Sequence, residues 1–261
     1  MDQENVEYLK ERLKYSGFDD QLNKSLEKEI KNGKQNFQLD HQMDIEGKRV
    51  DFKLHFNKSD SNDRYFFNKY DVKLFKEDQS LAPKEHTFYQ NQGITAKQAF
   101  NLLEGRAVYK SLQNSDKEPY KAWIQLDLTE KDKNNNFKVN QYHEKYGFNI
   151  NETLKNLPIK EINDETKAHW LIKSVEKGNQ APITMEKGGK EEIMFVEANP
   201  KFKSVNVYDI QMRTVKTNDL LQENKVDGLN GMDKKKDQSM KEGKTATQTP
   251  KTPKASKGKR V

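Results

Sequence analysis

The side chains best suited to catalysis or metal binding are scattered along this chain. Its five histidines are His41, His55, His86, His143 and His169. They show neither the H-x-x-x-H nor the H-E-x-x-H spacing that places two imidazoles on one helix face toward a metal ion. Cysteine is absent, which excludes disulfides, thiolate nucleophiles and cysteine-ligated metals. We therefore expect no metal site.

The glycine motifs of nucleotide binding and acyl transfer are also missing from the sequence. No P-loop, dinucleotide-binding turn or nucleophile elbow occurs, and each of these needs glycines at fixed spacing to expose backbone N–H groups or a nucleophile. The 41 carboxylates are too numerous for chance proximity to identify a catalytic pair. We predict a protein that is not an enzyme, with no catalytic residues and no cofactor.

The net positive charge is confined to the C-terminal end. Residues 216–261 contain 12 Lys/Arg and 6 Asp/Glu, whereas residues 1–215 hold equal numbers of each, so the whole net charge of +6 falls on the last 46 residues. A lysine-rich segment with few apolar residues cannot bury enough surface to offset the entropy lost on ordering. We predict that residues 216–261 form a disordered basic tail.

Such a tail binds DNA or RNA by releasing condensed counterions, without sequence preference. The candidate nucleic-acid-binding residues are Lys234, Lys235, Lys236, Lys241, Lys244, Lys251, Lys254, Lys257, Lys259 and Arg260. The alternative is a solubilising tail that meets nucleic acid only incidentally, and the composition leaves both open.

Aromatic residues beside charge supply a second set of candidates. Arg64 precedes Tyr65 and Phe67, and Trp123 lies in an alternating segment, so these side chains are candidates for stacking on a base or a partner. The alternative, which is the commoner outcome, is that strands with consecutive aromatics are covered on both sides by helices.

A charged corner at Glu104-Gly105-Arg106 gives another candidate for partner binding. Arg106 could face a phosphate or a partner's carboxylate. We favour the other interpretation, in which Gly105 ends a helix and Arg106 neutralises Glu104 and the helix carbonyls.

Two parts of the chain repeat one pattern. The segment from Leu26 to Gln35 and the segment from Leu171 to Gln180 both read L-x-K-x-[IV]-x-x-G-x-Q, and Asn68–Leu74 is echoed at Asn206–Met212. A reused unit favours architecture and a binding surface, because a catalytic centre is assembled once from residues of different roles.

The periodicity predicts an α+β fold made of repeated helix plus antiparallel β-hairpin units. Apolar residues at helical spacing precede alternating segments in each part of the chain. The spacing of Val6, Leu9 and Leu13 predicts a first helix that Ser16-Gly17 interrupts, and the alternation from Val50 to Phe56 predicts a strand. We also expect Thr95 and Asn151 to cap helices and a strand to run from Val205 to Met212. We divide the chain into residues 1–90, an N-terminal helix-plus-sheet unit, residues 91–160, a central helix-hairpin unit, residues 161–215, a C-terminal helix-plus-sheet unit, and the basic tail, residues 216–261.

The central unit carries a family resemblance. Residues 102–110 read LLEGRAVYK, followed by Tyr120, Ala122 and Trp123, and this resembles an uncharacterised family of Bacteroidetes conjugative-transposon proteins, catalogued as a domain of unknown function. Further matching segments at 65–70, 157–161 and 197–203 extend the likeness over residues 1 to about 213. The resemblance implies accessory proteins of integrative conjugative elements, in some relatives beside DNA-processing modules. It implies no reaction and no catalytic residues.

These observations lead to one functional hypothesis and one rival. We expect a non-enzymatic accessory protein of a mobile genetic element that binds nucleic acid through its tail and a partner through its folded core. The partner would be DNA, RNA or a protein of the element or host. The rival is a protein-interaction module, an inhibitor or scaffold, with no nucleic-acid role. The acidic start and the lack of a long apolar run predict a cytoplasmic protein that does not contact a membrane.

Overall fold

The computed structural model describes residues 2–78, 80–187, 189–217 and 220. These residues form five α-helices and eleven strands, arranged in three antiparallel sheets. The α+β class predicted from the sequence is therefore confirmed. In the described part of the chain, none of the helices has both the length and the apolar character that crossing a bilayer requires.

The first sheet is packed against the two N-terminal helices. The helices are α1 (Gln3–Leu13) and α2 (Asn23–Lys31). The strands, in spatial order, are β1 (Asn36–Ile45), β2 (Lys48–Lys58), β3 (Tyr65–Leu74) and β4 (Lys84–Tyr89). Gly17, at φ 84°, allows the chain to turn between the helices, and the aromatic ring of Phe18 then packs edge-on against Phe52 and Tyr70. The interruption expected at Ser16-Gly17 is confirmed.

The central sheet follows a short helix, α3 (Ala96–Leu103). Thr95 caps α3 by accepting a hydrogen bond from the Gln98 amide, as predicted. The three strands are β5 (Val108–Gln113), β6 (Pro119–Lys131) and β7 (Phe137–His143). The sequence did not indicate β7, because its alternation is weak and most of its side chains are polar.

The third sheet comes after two more helices, α4 (Ile150–Lys155) and α5 (Glu165–Glu176). Its strands, in spatial order, are β8 (Ala181–Lys187), β9 (Lys190–Asn199), β10 (Ser204–Tyr208) and β11 (Thr214–Val215). Asn149, rather than the expected Asn151, caps α4. The predicted strand through Met212 is too long, since Asp209 starts a turn by accepting hydrogen bonds from the amides of Gln211 and Arg213.

Two hydrophobic cores share the central sheet. One face of that sheet sends Val108, Ile124 and Leu126 into the core beneath the first sheet. The opposite face sends Trp123 into the core of the third sheet, together with Ala107 from the loop before β5. The predicted boundary at residue 90 falls inside the first core, because the residues of α3 also belong to it.

The predicted basic tail is almost entirely outside the described residues. Leu220, which we had assigned to it, is buried in the second core. Leu220 therefore packs with the folded body, whereas the sequence predicts a tail that begins at residue 216.

Candidate functional site

The open face of the first sheet holds a groove of about 830 Å³. Alternation along each strand creates it, because every second side chain points away from the helices. The inward set is apolar, and the outward set is polar and charged. The charged side chains that line the groove are Asp40, Asp51, Lys53, Asp71, Lys73 and Glu85.

Strand register places opposite charges next to each other across the groove. Lys53 pairs with Asp40 on β1 and with Asp71 on β3. In the adjoining row, Lys73 pairs with Asp51, and its ammonium lies 2.9 Å from a Glu85 carboxylate oxygen. Such cross-strand pairs stabilise the sheet modestly. They also leave a surface whose carboxylates outnumber its ammonium groups, which disfavours phosphate.

Asp71 is the hydrogen-bonding centre of this face. His55 Nε2 lies 2.7 Å from Asp71 Oδ2, and the Thr87 hydroxyl donates to Asp71 Oδ1 at 2.7 Å. Burial alone would raise the pKa of Asp71, but the hydrogen bonds from Thr87 and His55 outweigh it and hold the pKa below its usual value. Asp71 is thus a fixed anion in the floor of the groove.

A β-bulge puts Asp71 on the open face. The register between β2 and β3 shifts at His55 and Phe56, so Phe67 and Tyr70 both point inward although they are three residues apart. Asn68 and Lys69 are the two successive residues that absorb the shift. Without the bulge, alternation from Phe67 would place Asp71 in the core.

One wall of the groove is the turn between β6 and β7. Asp132 Oδ1 holds this turn by accepting from the amides of Asn134 and Asn136. Two bonds then fasten the turn to β4, because the Thr87 amide donates to Asn136 Oδ1 at 2.8 Å and the Phe137 amide donates to His86 Nδ1 at 3.1 Å. The central sheet therefore completes a site that begins on the first sheet.

Most of the aromatic candidates from the sequence lie inside the protein. Tyr65 and Phe67 are buried and cannot stack on a partner in this structure, whereas Trp123 is buried apart from the 3% of its surface that lines a cleft beside the central sheet. The interpretation that both faces of the strand are covered is confirmed for β6, where Trp123 and its neighbours are all buried. It is wrong for β3, where Phe66 is 50% exposed on the open face.

The two arginine candidates have different environments. Arg64 is exposed, and its Nε lies 3.7 Å from an Asp2 carboxylate oxygen. Arg106 is only 7% exposed and cannot meet a partner in this structure. Its guanidinium donates to Glu46 at 2.7 Å and to Asn101 at 2.9 Å.

The environment of Arg106 therefore differs from both interpretations made from the sequence, which were contact with a partner and neutralisation of Glu104. Arg106 does not neutralise Glu104, whose carboxylate lies 2.7 Å from the Lys48 ammonium instead. The Arg106 Nε also lies 3.9 Å from Glu197 in the third sheet, so the arginine joins the first sheet, α3 and the third sheet. Gly105, at φ 88°, does end the helix as expected.

The lysine-rich candidates, from Lys234 to Arg260, lie outside the described residues. Among the described residues, no group of His, Asp and Glu side chains is placed to hold a metal ion. No family model, curated protein or solved structure matches the chain. The likeness to conjugative-transposon proteins thus depends on the sequence motifs alone.

The geometry of the groove suits a polar ligand with both signs of charge. Donors and acceptors stand at strand spacing along two adjacent rows, and the paired strands beneath them fix their register. Sequence reasoning missed this site, although its signal was present in the alternate charged residues of β2, from Arg49 through Asp51 and Lys53 to His55. We had used that alternation only to locate the core face.

Proposed function

We propose that this protein is a non-enzymatic accessory protein of a mobile genetic element that acts in the cytoplasm. In this proposal its folded body binds a protein partner in the groove of the first sheet. Its basic C-terminal residues add nonspecific affinity for DNA or RNA. The observation that carries the proposal is the groove itself, a large preformed cavity lined by charged side chains in fixed positions.

The charge of the groove favours a protein partner over nucleic acid at this site. Four carboxylates and two lysine ammonium groups line it, so a polyphosphate would meet net repulsion. Alternating charges instead complement a partner surface that also carries both signs, and such complementarity sets specificity and register.

The proposal assigns nucleic acid to the other end of the chain. The net charge of +6 belongs to residues 216–261, and lysine side chains neutralise phosphates without needing a particular fold. The mobile-element context comes from the LLEGRAVYK segment and its accompanying motifs.

The proposal also includes reuse of one structural unit. Each of the three sheets follows a helix, and α2, α3 and α5 are each followed closely by a glycine at positive φ, namely Gly33, Gly105 and Gly178. Beyond these glycines the likeness weakens, because Asp71 lies within a strand whereas its counterpart Asp209 lies in a turn. We therefore propose a common origin of the three units on the basis of their helix and sheet order alone. In this proposal the functions of the units have since diverged.

Charge exchange in the groove tests the partner half of this proposal. We expect D40K/K53E to lose a partner that co-purifies with the wild-type chain from its host, because two exposed groove charges are reversed while the net charge is unchanged. The matched control E11K/K31E makes the same exchange on the exposed helix faces of α1 and α2. Equal recovery of the partner with all three proteins would refute the groove as the binding site.

A salt series tests the nucleic-acid half. A full-length variant replaces the ten basic residues between Lys234 and Arg260 with Gln, and filter binding compares it with wild type on single- and double-stranded DNA. We expect wild-type affinity to fall steeply with salt and the variant to bind weakly throughout. A wild-type chain without DNA affinity at low salt would remove this half of the proposal.

The second candidate function is an interaction module without a nucleic-acid role, an inhibitor or scaffold. The observation that favours it is the charge balance of residues 1–215, which carry equal numbers of acidic and basic residues and contain the groove. It predicts that the Gln variant keeps full biological activity in its host.

A further inference from the structure

A second cleft, separate from the groove of the first sheet, lies between the central sheet and helices α4 and α5. Its volume is about 550 Å³. Its floor is an aromatic row across the central sheet, because strand register places Tyr109 opposite Trp123 and Trp123 opposite Tyr142. The rings of Tyr109 and Phe148 lie 5.2 and 5.4 Å from the Trp123 ring, centroid to centroid.

The rim of this cleft is acidic. Glu144, Glu152 and Glu176 line it, and the described residues of its lining include no lysine or arginine. That imbalance is unusual for a chain in which Lys and Arg outnumber Asp and Glu, 47 to 41. Glu176 already pairs with Lys173 at 2.7 Å, whereas Glu144 accepts a neutral hydroxyl, that of Tyr109, at 2.9 Å.

The carboxylates of the rim act on the Tyr109 hydroxyl. Burial, the hydrogen bond to Glu144 and the charges of Glu144 and Glu176 together raise the pKa of Tyr109 to about 12. A cation entering the cleft would be stabilised by the same carboxylates.

The fold already places one ammonium on an aromatic ring at the edge of this cleft. The Lys203 ammonium lies 4.7 Å from the centroid of the Tyr146 ring, and Tyr146 in turn packs 5.2 Å from Tyr142. Lys203 adopts a positive φ of 51°, which lysine rarely does. This pair shows that the local geometry suits contact between an ammonium and an aromatic face.

We propose that this cleft binds a lysine side chain of a basic peptide. The aromatic rings would contact the aliphatic stem of the lysine and turn their faces toward its ammonium group. Glu144 and Glu152 would pair with that ammonium. Aromatic faces combined with carboxylates favour an ammonium over a neutral side chain of the same length, because both attract positive charge.

Tryptophan fluorescence provides the test. The chain has two tryptophans, and Trp170, 68% exposed on α5, can be replaced by Phe so that Trp123 alone reports from the cleft. Tetralysine is titrated into the full-length W170F protein, and tetra-acetyl-lysine serves as the neutral probe. We expect saturable binding of tetralysine, and affinity for the acetylated peptide lower by roughly tenfold or more.

Two further variants in the W170F background locate the site. E144Q/E152Q should weaken tetralysine binding roughly tenfold, whereas E4Q/E11Q, which removes the same charge from the exposed side of α1, should leave it unchanged. Equal affinity for the two peptides would overturn the proposal, as would equal losses in the two double variants. Circular dichroism of each variant excludes loss of the fold as the cause.

Discussion

Arg106 and Glu46 form a salt bridge, with 2.7 Å between Nη2 and Oε2, that connects the LLEGRAVYK segment to the hairpin turn of the first sheet. Burial alone would raise the pKa of Glu46, but its hydrogen bonds to Arg106 and Lys97 lower it to about 2. The same arginine approaches Glu197, which is only 7% exposed. The segment that carries the family resemblance is thus, in this structure, a junction between sheets.

Removing the Arg106 charge should destabilise the protein strongly. R106Q leaves the buried Glu197 carboxylate without a counter-charge, which costs about 3–5 kcal/mol. Urea denaturation at pH 7 measures the free energy of unfolding. As a control, R49Q breaks a salt bridge of the same 2.7 Å length to Asp51 at an exposed position, where little loss of stability is expected because solvent screens the pair. Similar losses in both variants would show that the junction is not a stabilising contact.

Two glycines at equivalent places in the repeated pattern should differ in their tolerance of alanine. Gly33 and Gly178 both have positive φ, at 68° and 81°, so alanine costs each roughly 1–2 kcal/mol of backbone strain. At Gly178 a Cβ would also lie 2.9 Å from Val108 Cγ2 and 3.0 Å from the Ala107 carbonyl, whereas nothing lies within 4 Å at Gly33. Overpacking adds about 1–3 kcal/mol to G178A alone.

Thermal or urea unfolding of the two glycine variants measures this difference in stability. The expected order of stability is wild type, then G33A, then G178A. If G33A were as unstable as G178A, the close approach of α5 to the central sheet would not be the reason for the glycine.

Stability should fall as the pH drops from about 6.5 to about 4, and His86 should cause part of that fall. Burial lowers the pKa of His86 to about 4. The unfolded chain, with a pKa near 6.5 at this residue, therefore takes up a proton at a higher pH than the folded protein does. The size of the shift corresponds to at most about 3 kcal/mol. Protonation would also remove the acceptor for the Phe137 amide and release a wall of the groove.

Urea midpoints between pH 7 and pH 4 test this dependence. H86Q keeps an acceptor but no titrating ring, so its stability should depend less on pH in this range. H143Q replaces an exposed histidine and should follow wild type. If the stability of H86Q depended on pH as steeply as that of wild type, His86 would be ruled out as the titrating group.

Asn5 should be essential to the packing of α1 on the first sheet. Its side-chain amide donates to the Tyr65 carbonyl at 3.0 Å, and its Oδ1 accepts from the Tyr65 amide at 2.7 Å. N5A leaves both buried backbone groups without partners and should cost about 3 kcal/mol. N57A, at an exposed position on β2, should change stability by about 0.5 kcal/mol or less. Chemical denaturation of both variants measures the difference.

Local pattern predicted the elements far better than the contacts between them. The spacing of Val6, Leu9 and Leu13 indicated α1, and the alternation from Val50 to Phe56 indicated β2, because helical and strand periods are properties of neighbouring residues. Asn5 and Tyr65 are 60 residues apart, as are Glu46 and Arg106. No local pattern reports such pairs, so their roles required the structure.

Neither candidate site could be predicted from the sequence, and the reason is the same for both. The groove needs the β6–β7 turn to reach β4, and the aromatic cleft needs Tyr142 on a strand that the sequence did not indicate. The sequence indicated Trp123 as a candidate but not its burial, since only 3% of the side chain is exposed and its ring forms the floor of a cleft. Burial depends on what the remaining chain places above a residue, which is a tertiary property.

The sheet that serves two cores has a practical consequence for dissecting this protein. A fragment ending at residue 90 would lack Val108 and Ile124, and one beginning at residue 161 would lack Trp123, so each would present an uncovered apolar surface to water. Unfolding of one hydrophobic core should therefore unfold the other in a single cooperative transition. Activities assigned to either end of the chain are best sought by point substitution in the intact polypeptide.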